Sequence, residues 1–317
     1  MFKYILKRIG ISILLLVAVS LIIYFILRLM PVDFVTMNSN LQSNPEQAEM
    51  HREALGLDDN SFWGIIKGYG KWVGSLFEKD AETGHISLGQ TFSGSKSVAQ
   101  LLVQGIPYSF IVAAVATVFE FLIAIPLGIT AATHQYSFRD YFITVLVMIG
   151  ISLPSFFFAN IFKTVFAEAL GWFPVSGAGT FRHYVLPIFT ISVLSLGGRM
   201  RMTRTNMLEV LNSDYIRTAR AKGLSENKVI NKHAFRNTLI PLVTTLAGLL
   251  PSLFSGAIIT EQIFGLPGIG KMALEYTNEG DIPFIMGYNM FLATLSVVGI
   301  LLADIMYAVV DPRVKLK

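Results

Sequence analysis

The chain has 317 residues, 53% of them apolar and only 15% charged, whereas a soluble domain is about 45–50% apolar and about 25% charged. That balance points to lipid, and the absence of cysteine excludes disulfides, thiolate metal sites and thiol nucleophiles. The histidines, His51, His85, His134, His183 and His233, never fall four residues apart, which argues against zinc; the net charge of +4 sits beside apolar runs, which argues against nucleic acid and for orientation in a membrane.

A membrane span needs roughly 20 mostly apolar residues to cross about 30 Å of hydrocarbon. The first candidate covers 9–27, behind Lys3, Lys7 and Arg8 and ended by Arg28 and Pro31. It exceeds the apolar part of a signal peptide and no small-x-small cleavage pattern follows, so it reads as an uncleaved first helix. The segment 32–105 is too long for a simple loop and carries a helix pattern over 42–57 and another over 62–77. The second stretch has aromatics at Phe62, Trp63, Tyr69 and Trp72, expected at the lipid interface or packed on helix ends.

Five more apolar stretches follow, over 108–132, 141–169 with Pro154 inside, 184–199, 239–260 with Pro241 and Pro251, and 284–310. Internal prolines are tolerable in such helices because neighbouring helices and hydroxyls satisfy the freed carbonyls. The segment 199–236 holds nine Lys/Arg against three acids, and the amino-terminus and the tail (Arg313, Lys315, Lys317) are basic. By contrast, 32–105 holds nine acids against five Lys/Arg and 263–283 three acids against one lysine. The charge pattern therefore predicts an all-α integral membrane protein of six transmembrane helices with both termini cytoplasmic. The organisation is a tail and first span over 1–31, an extracytoplasmic segment over 32–105, a core over 106–310 with a cytoplasmic loop at 206–238, and a tail over 311–317.

That loop is the most informative stretch. Ser213 and Asp214 suit a helix N-cap, Tyr215 to Lys222 has no breaker, and Gly223 supplies a helix-ending residue able to adopt positive φ. Ser225 then caps a second short helix over 226–236. Arg217, Arg220 and Lys222 make the first helix basic, while Tyr215, Ile216, Ala219 and Ala221 keep it small or apolar, a surface suited to a groove on another protein. An ordinary positive-inside loop is the plainer reading of the same composition.

The run Tyr215-Ile216-Arg217-Thr218-Ala219-Arg220-Ala221-Lys222-Gly223-Leu224, with His233-Ala234-Phe235-Arg236-Asn237 and Ile240-Pro241, resembles the cytoplasmic loop of oligopeptide/dipeptide-type ABC-importer membrane subunits. Leu55-Gly56-Leu57-Asp58, Ser87-Leu88-Gly89, Ile151-Ser152-Leu153-Pro154-Ser155-Phe156, Gly171-Trp172-Phe173-Pro174 and Glu261-Gln262-Ile263-Phe264-Gly265-Leu266-Pro267-Gly268-Ile269-Gly270 resemble further landmarks of that family, in order, as do Asp304 through Arg313. The resemblance implies a type I ABC importer permease fold that works with a second, related permease subunit as a heterodimer. It further implies two cytoplasmic ABC ATPases and an extracytoplasmic peptide-binding protein, with ATP and Mg²⁺ held by the ATPases and no cofactor on this chain. It implies that the helix from Asp214 through Tyr215, Arg217, Thr218, Ala219, Arg220, Ala221 and Lys222 to Gly223 and Leu224 couples to an ATPase. Two departures stand out: the loop reads Arg217-Thr218-Ala219 where the wider superfamily has Glu-Ala-Ala, and Pro31-Val32-Asp33-Phe34 replaces Pro-Gly-Asp-Pro.

Ionisable residues within spans are functional candidates by default, because an unpaired buried charge is costly. Glu120 lies midway along the second span, Asp304 inside the last, and Glu261 near the outer end of the fifth. With Pro154, Ser155, Phe264 and Pro267 they form the expected translocation path or gate. Static helix–helix pairing competes for Glu120 and Asp304, and snorkelling to the interface for Glu261, Lys163 and Glu168. Lys163 and Arg199 occupy positions where apolar residues are expected. The stretch from Gly265 to Gly270, Lys271 and Met272 is a near miss for a phosphate-binding loop, since Met272 stands where Ser or Thr must hold Mg²⁺. It reads instead as a rigid turn, and the chain as a non-enzyme. The alternatives are a secondary transporter or channel driven by protons through Glu120 or Asp304, which leaves the basic loop without a purpose, and an intramembrane enzyme, for which no nucleophile–base pair is evident.

Overall fold

The computed structural model describes residues 2–30, 33–37, 45–80, 84–94 and 96–310, with side chains for all of these except 2–7, 240–244, 246–247 and 303–310. The described residues fold into helices joined by loops, with two isolated antiparallel bridges, Lys79 to Ile86 and Gln90 to Ser97.

Helix α1 (Phe2–Leu29) leads into an outer segment of α2 (Phe34–Met37), α3 (Pro45–Leu55) and α4 (Phe62–Ser75). Both helices expected there form within the described residues, and each ends two residues early. The aromatics of α4 divide by face. Trp72 is buried with Tyr24, Leu57, Ile65, Ile282 and Met286, while Phe62 and Trp63 are exposed. Tyr69 and Ser20 share a hydroxyl hydrogen bond of 2.7 Å, and Arg52 pairs with Asp33 at 2.8 Å. The outer segment is thus pinned to α1 and to the start of the last helix.

Helix α5 (Val98–Thr133) begins well before the apolar stretch that marked it, because Ser97 and Gln100 form a reciprocal capping box. Its 36 residues reach about 54 Å at 1.5 Å per residue, so it projects beyond a bilayer, and the boundary expected at 105/106 falls inside it. Pro107 and Pro126 leave it unbroken. Helix α6 (Phe138–Ser152) and helix α7 (Ser155–Phe162), which continues as a π-helical turn over Lys163–Ala169, were expected as one span. They are bent by 97°. The cause is local: a residue before proline avoids the helical region, and Leu153 and Pro154 both take extended backbone.

Helix α8 (Arg182–Leu211) runs about three turns past Arg199 and ends at the short helix α9 (Asp214–Ala221). The second helix of the loop is not separate. Helix α10 (Glu226–Lys228) passes through a π-helical stretch, Val229–Ala234, directly into α11 (Phe235–Gly248). The apolar stretch expected as one span over 239–260 is divided into α11, α12 (Leu250–Phe254) and α13 (Ile258–Phe264). Gly256 breaks it at φ +76°, and a side chain there would run into the backbone of Gly270. Helices α14 (Ile269–Glu279) and α15 (Ile282–Val310) complete the fold. Among the described residues, four helices are long and apolar enough to cross a membrane, within α1, α5, α8 and α15, and the bent α6–α7 pair supplies a fifth candidate.

The longest helix pairing is α5 against α8. Small residues allow it: Ala116, Ala124, Gly128 and Ala131 are buried along α5. A Cβ on Gly128 would stand 2.6 Å from the Thr203 side chain, which is the close approach that small residues permit between membrane helices. Away from this seam the surface is apolar, with Leu14, Ile22, Leu122, Val145 and Leu146 exposed, as lipid-facing positions require.

Candidate functional site

The loop after α8 is built on its own apolar core. Ile216 is fully buried and Ala219 nearly so, packed with Met207, Val229, Ala234 and Ala132. Burying one such isoleucine contributes roughly 1.5–3 kcal/mol, so α9 is anchored to α5, α8 and the α10–α11 rod. Ile216 and Ala219 therefore do not face outward with Tyr215, contrary to the expected apolar surface. The outward face is Asp214, Tyr215, Arg217, Thr218, Arg220, Ala221, Lys222 and Gly223, with Leu224 half-buried behind it.

Ser213 holds the extended backbone of an N-cap (φ −75°, ψ 153°), yet its hydroxyl donates back to the Val210 carbonyl at 2.6 Å. Gly223 adopts φ +74°, and nothing lies within 4 Å of where its Cβ would be. Backbone conformation alone demands glycine there. Across this turn Arg220 grips Glu226 with two hydrogen bonds, 2.6 and 3.2 Å. Those bonds hold the Glu226 carboxyl below its ordinary value of 4.5, and Arg220 is raised in turn. Asn237 donates to the Tyr215 hydroxyl at 3.0 Å, joining α9 to α11. Among the described residues Arg217 meets only Asp214, at 3.7 Å and in the open, a geometry worth little.

Of the charged residues expected within spans, Glu120, Arg199, Lys163 and Glu261 have partners. Arg199 donates to Glu120 at 2.7 Å across the α5–α8 seam, with the guanidinium 5.5 Å from the Phe121 ring. Lys163 donates to the Ile263 carbonyl at 2.8 Å, at the carboxyl end of α13 where a cation is favoured. Glu168 is exposed and does not pair with Lys163. Glu261 does not snorkel. It is 1% exposed and accepts from Ser109 (2.6 Å), the Ala257 amide (3.1 Å) and the Lys271 amide (2.9 Å). Phe264 is buried beside Leu266 against α5 and α8, and Pro267 is half-buried. Pro154 is exposed and Ser155 half-buried at the 97° bend. The Asp304 side chain lies outside the described residues. Glu120, Glu261 and Phe264 are thus interior positions, while Pro154 and Ser155 stand at the bend between α6 and α7.

Two further charged residues escaped sequence reasoning. Asp140 takes two bonds from Arg204, at 2.9 and 2.8 Å. Asp281, fully buried before α15, accepts from the amides of Phe92 (2.7 Å) and Phe284 (3.0 Å). Burial pushes the Asp281 carboxyl up to about 6. The sequence Asp281-Ile282-Pro283 is a readable N-cap followed by an early helix proline, whereas the partner of Asp140 lies 64 residues away and is not readable.

Residues 124–316 match the model of the family described as "Binding-protein-dependent transport system inner membrane component", and residues 1–113 match its amino-terminal model, "Binding-prot-dependent transport system membrane comp, N-term". The chain belongs to this family of transport permeases. Among its relatives, the oligopeptide transport system permease protein AppB of Bacillus subtilis (strain 168) is 36% identical over 99% of this chain and 100% of its own length. The dipeptide transport system permease protein DppB of Lactococcus lactis subsp. cremoris (strain MG1363) is 35% identical, and the match covers 100% of both chains. A chain of the MetNI methionine ABC transporter in an inward-facing conformation shares the fold, with a TM-score of 0.57 at 19% identity, over 67% of this chain and 97% of that one.

Proposed function

We propose that this chain is one of two membrane subunits of an ATP-driven peptide importer of the cytoplasmic membrane, coupled to ATPases through α9. In this reading a peptide-binding protein delivers substrate from outside, a second, related permease completes the path, and two cytoplasmic ATPases hold ATP and Mg²⁺. Six spans result if α6–α7 counts as one bent span and α11–α13 as one divided span, with both termini in the cytoplasm as the charge pattern requires. The observation that carries the reading is the pairing of end-to-end similarity to peptide permeases with a basic, exposed α9 whose inner face is buried in the chain's own core. A helix held that way passes on displacement as a lever, whereas a loose loop would absorb it. Each nucleotide state must contact α9 differently for any shift to follow. Glu120, Pro154, Ser155, Glu261, Phe264, Pro267 and Asp304 remain the proposed path or gate, with Glu120 and Glu261 acting as buried supports.

The chain's lack of cysteine makes the test clean. Arg217→Cys or Lys222→Cys, reconstituted with the ATPases, is expected to crosslink to them in a nucleotide-dependent manner. Uptake of labelled peptide by vesicles holding this chain alone would instead establish the secondary-transporter alternative.

A further inference from the structure

A groove of about 330 Å³ opens between α6 and α8, beside the turn that links α5 to α6. Its polarity changes along its length. At the turn end it is lined by Tyr136, Asp140, Arg204 and Thr205, and further along α6 and α8 by Val147, Met148 and Met200. Asp140 and Val147 are about 10 Å apart along the helix, so the groove is polar at the membrane edge and apolar two turns deeper.

The charges within it do not cancel. The Asp140 carboxylate is occupied by Arg204 at both oxygens and by the Tyr136 amide at 3.1 Å. Arg201, exposed on the same wall, has neither an ion-pair nor a hydrogen-bond partner among the described residues. One positive charge is therefore left over. Tyr136 is also one of two non-glycine residues with positive φ among the described residues, at +60°, an arrangement that persists only where the surroundings enforce it. Its amide N–H donates to Asp140 at 3.1 Å, and its ring lines the groove. Phe138, Tyr141 and Phe142 are exposed beside it, and Val145, Leu146 and Ile149 continue the exposed face of α6. Aromatics at the edge of an apolar surface mark the headgroup level of a bilayer.

We infer that this groove binds the phosphate-bearing headgroup of an anionic phospholipid of the cytoplasmic leaflet, with Arg201 as the counter-charge and Tyr136 and Tyr141 as its walls. The leaflet follows from the proposed orientation; the headgroup chemistry follows from the unpaired guanidinium, and the lipid source from the apolar inner end. Basic pockets between helices on the cytoplasmic side are a physically favoured setting for such headgroups. The site is distinct from the outward face of α9.

The full chain is purified in neutral micelles and offered phosphatidylglycerol or phosphatidylcholine, and retained lipid is counted by native mass spectrometry. Wild type is expected to retain phosphatidylglycerol about tenfold over phosphatidylcholine, and Arg201→Gln to lose about that factor. Arg201→Lys should keep much of it. Tyr136→Gly, which relieves the positive φ and so preserves the fold, should lose retention without losing thermal stability. Equal retention by wild type and Arg201→Gln, or no preference between the lipids, overturns the site. Displacement of the lipid by inorganic phosphate or glycerol 3-phosphate at millimolar concentration overturns the lipid source and reassigns the groove to a free anion.

Discussion

Removing Arg199 while leaving Glu120 in place tests whether the charges inside the α5–α8 seam support the fold. At 2.7 Å and an effective dielectric of about 20, Coulomb's law gives roughly 6 kcal/mol of attraction, most of it offset by the cost of taking both ions from water. Breaking such a pair is costlier than its net worth, about 3–5 kcal/mol, because the survivor stays buried and charged. The two sides differ in escape. The Glu120 side chain is 6% exposed and Arg199 19%, and a long arginine can snorkel where a glutamate cannot. Arg199→Met is therefore expected near the upper end of that range and Glu120→Gln near the lower. The double variant strands no charge and should cost less than either single variant. Reversible unfolding in mixed micelles, followed by fluorescence of the three tryptophans, measures all four corners of the cycle. Costs that add within about 0.5 kcal/mol would refute the pairing as a shared energetic unit.

Gly223→Val should cost about 1–2 kcal/mol from backbone conformation alone and abolish uptake while leaving insertion intact, whereas Gly223→Asn, which tolerates left-handed backbone, should retain most uptake in the reconstituted complex. Asp281 binds its proton more tightly folded than unfolded, since burial raises it from 3.8 to about 6; acidification from pH 7 towards pH 4 should thus favour the folded state, and Asp281→Asn should remove that slope from pH-dependent unfolding. Gly268→Ala places a methyl group in the space of the Glu261 carboxylate and should cost about 1–3 kcal/mol by overpacking. Hydrogen exchange at the amides of Ala257 and Lys271 should then accelerate, and unchanged protection would show that the carboxylate was not holding them.

The outer helices were legible because Phe62 to Phe77 and the stretch ending at Leu57 carry helical patterns between clear breakers, and α9 because Gly223 closes it at positive φ. The start of α5 is legible in Ser97-Val98-Ala99-Gln100, which spells a capping box ten residues before the apolar run and is invisible to hydropathy alone. Prolines were not legible. Pro107 and Pro126 sit in an unbroken helix, while Pro154 turns the chain by 97°; only the surroundings decide whether freed carbonyls are re-satisfied. Charge partners were not legible either, because Glu120–Arg199 and Asp140–Arg204 join residues 79 and 64 apart. Nor could periodicity show that Ile216 and Ala219 look inward, since α9 is too short for its faces to be assigned before Val229 and Ala234 are known to lie beneath it.

The glycine-rich turn after α13 has a consequence for how a phosphate-like loop can lose its appetite for phosphate. Gly256, Gly268 and Gly270 clear a hollow, and the amides of Ala257 and Lys271 point into it. The hollow already contains an anion, the carboxylate of Glu261, supplied by the chain itself. This built-in tenant accepts from both amides, at 3.1 and 2.9 Å. Shortening Glu261 to alanine would remove that tenant and leave the Ala257 and Lys271 amides without their acceptor.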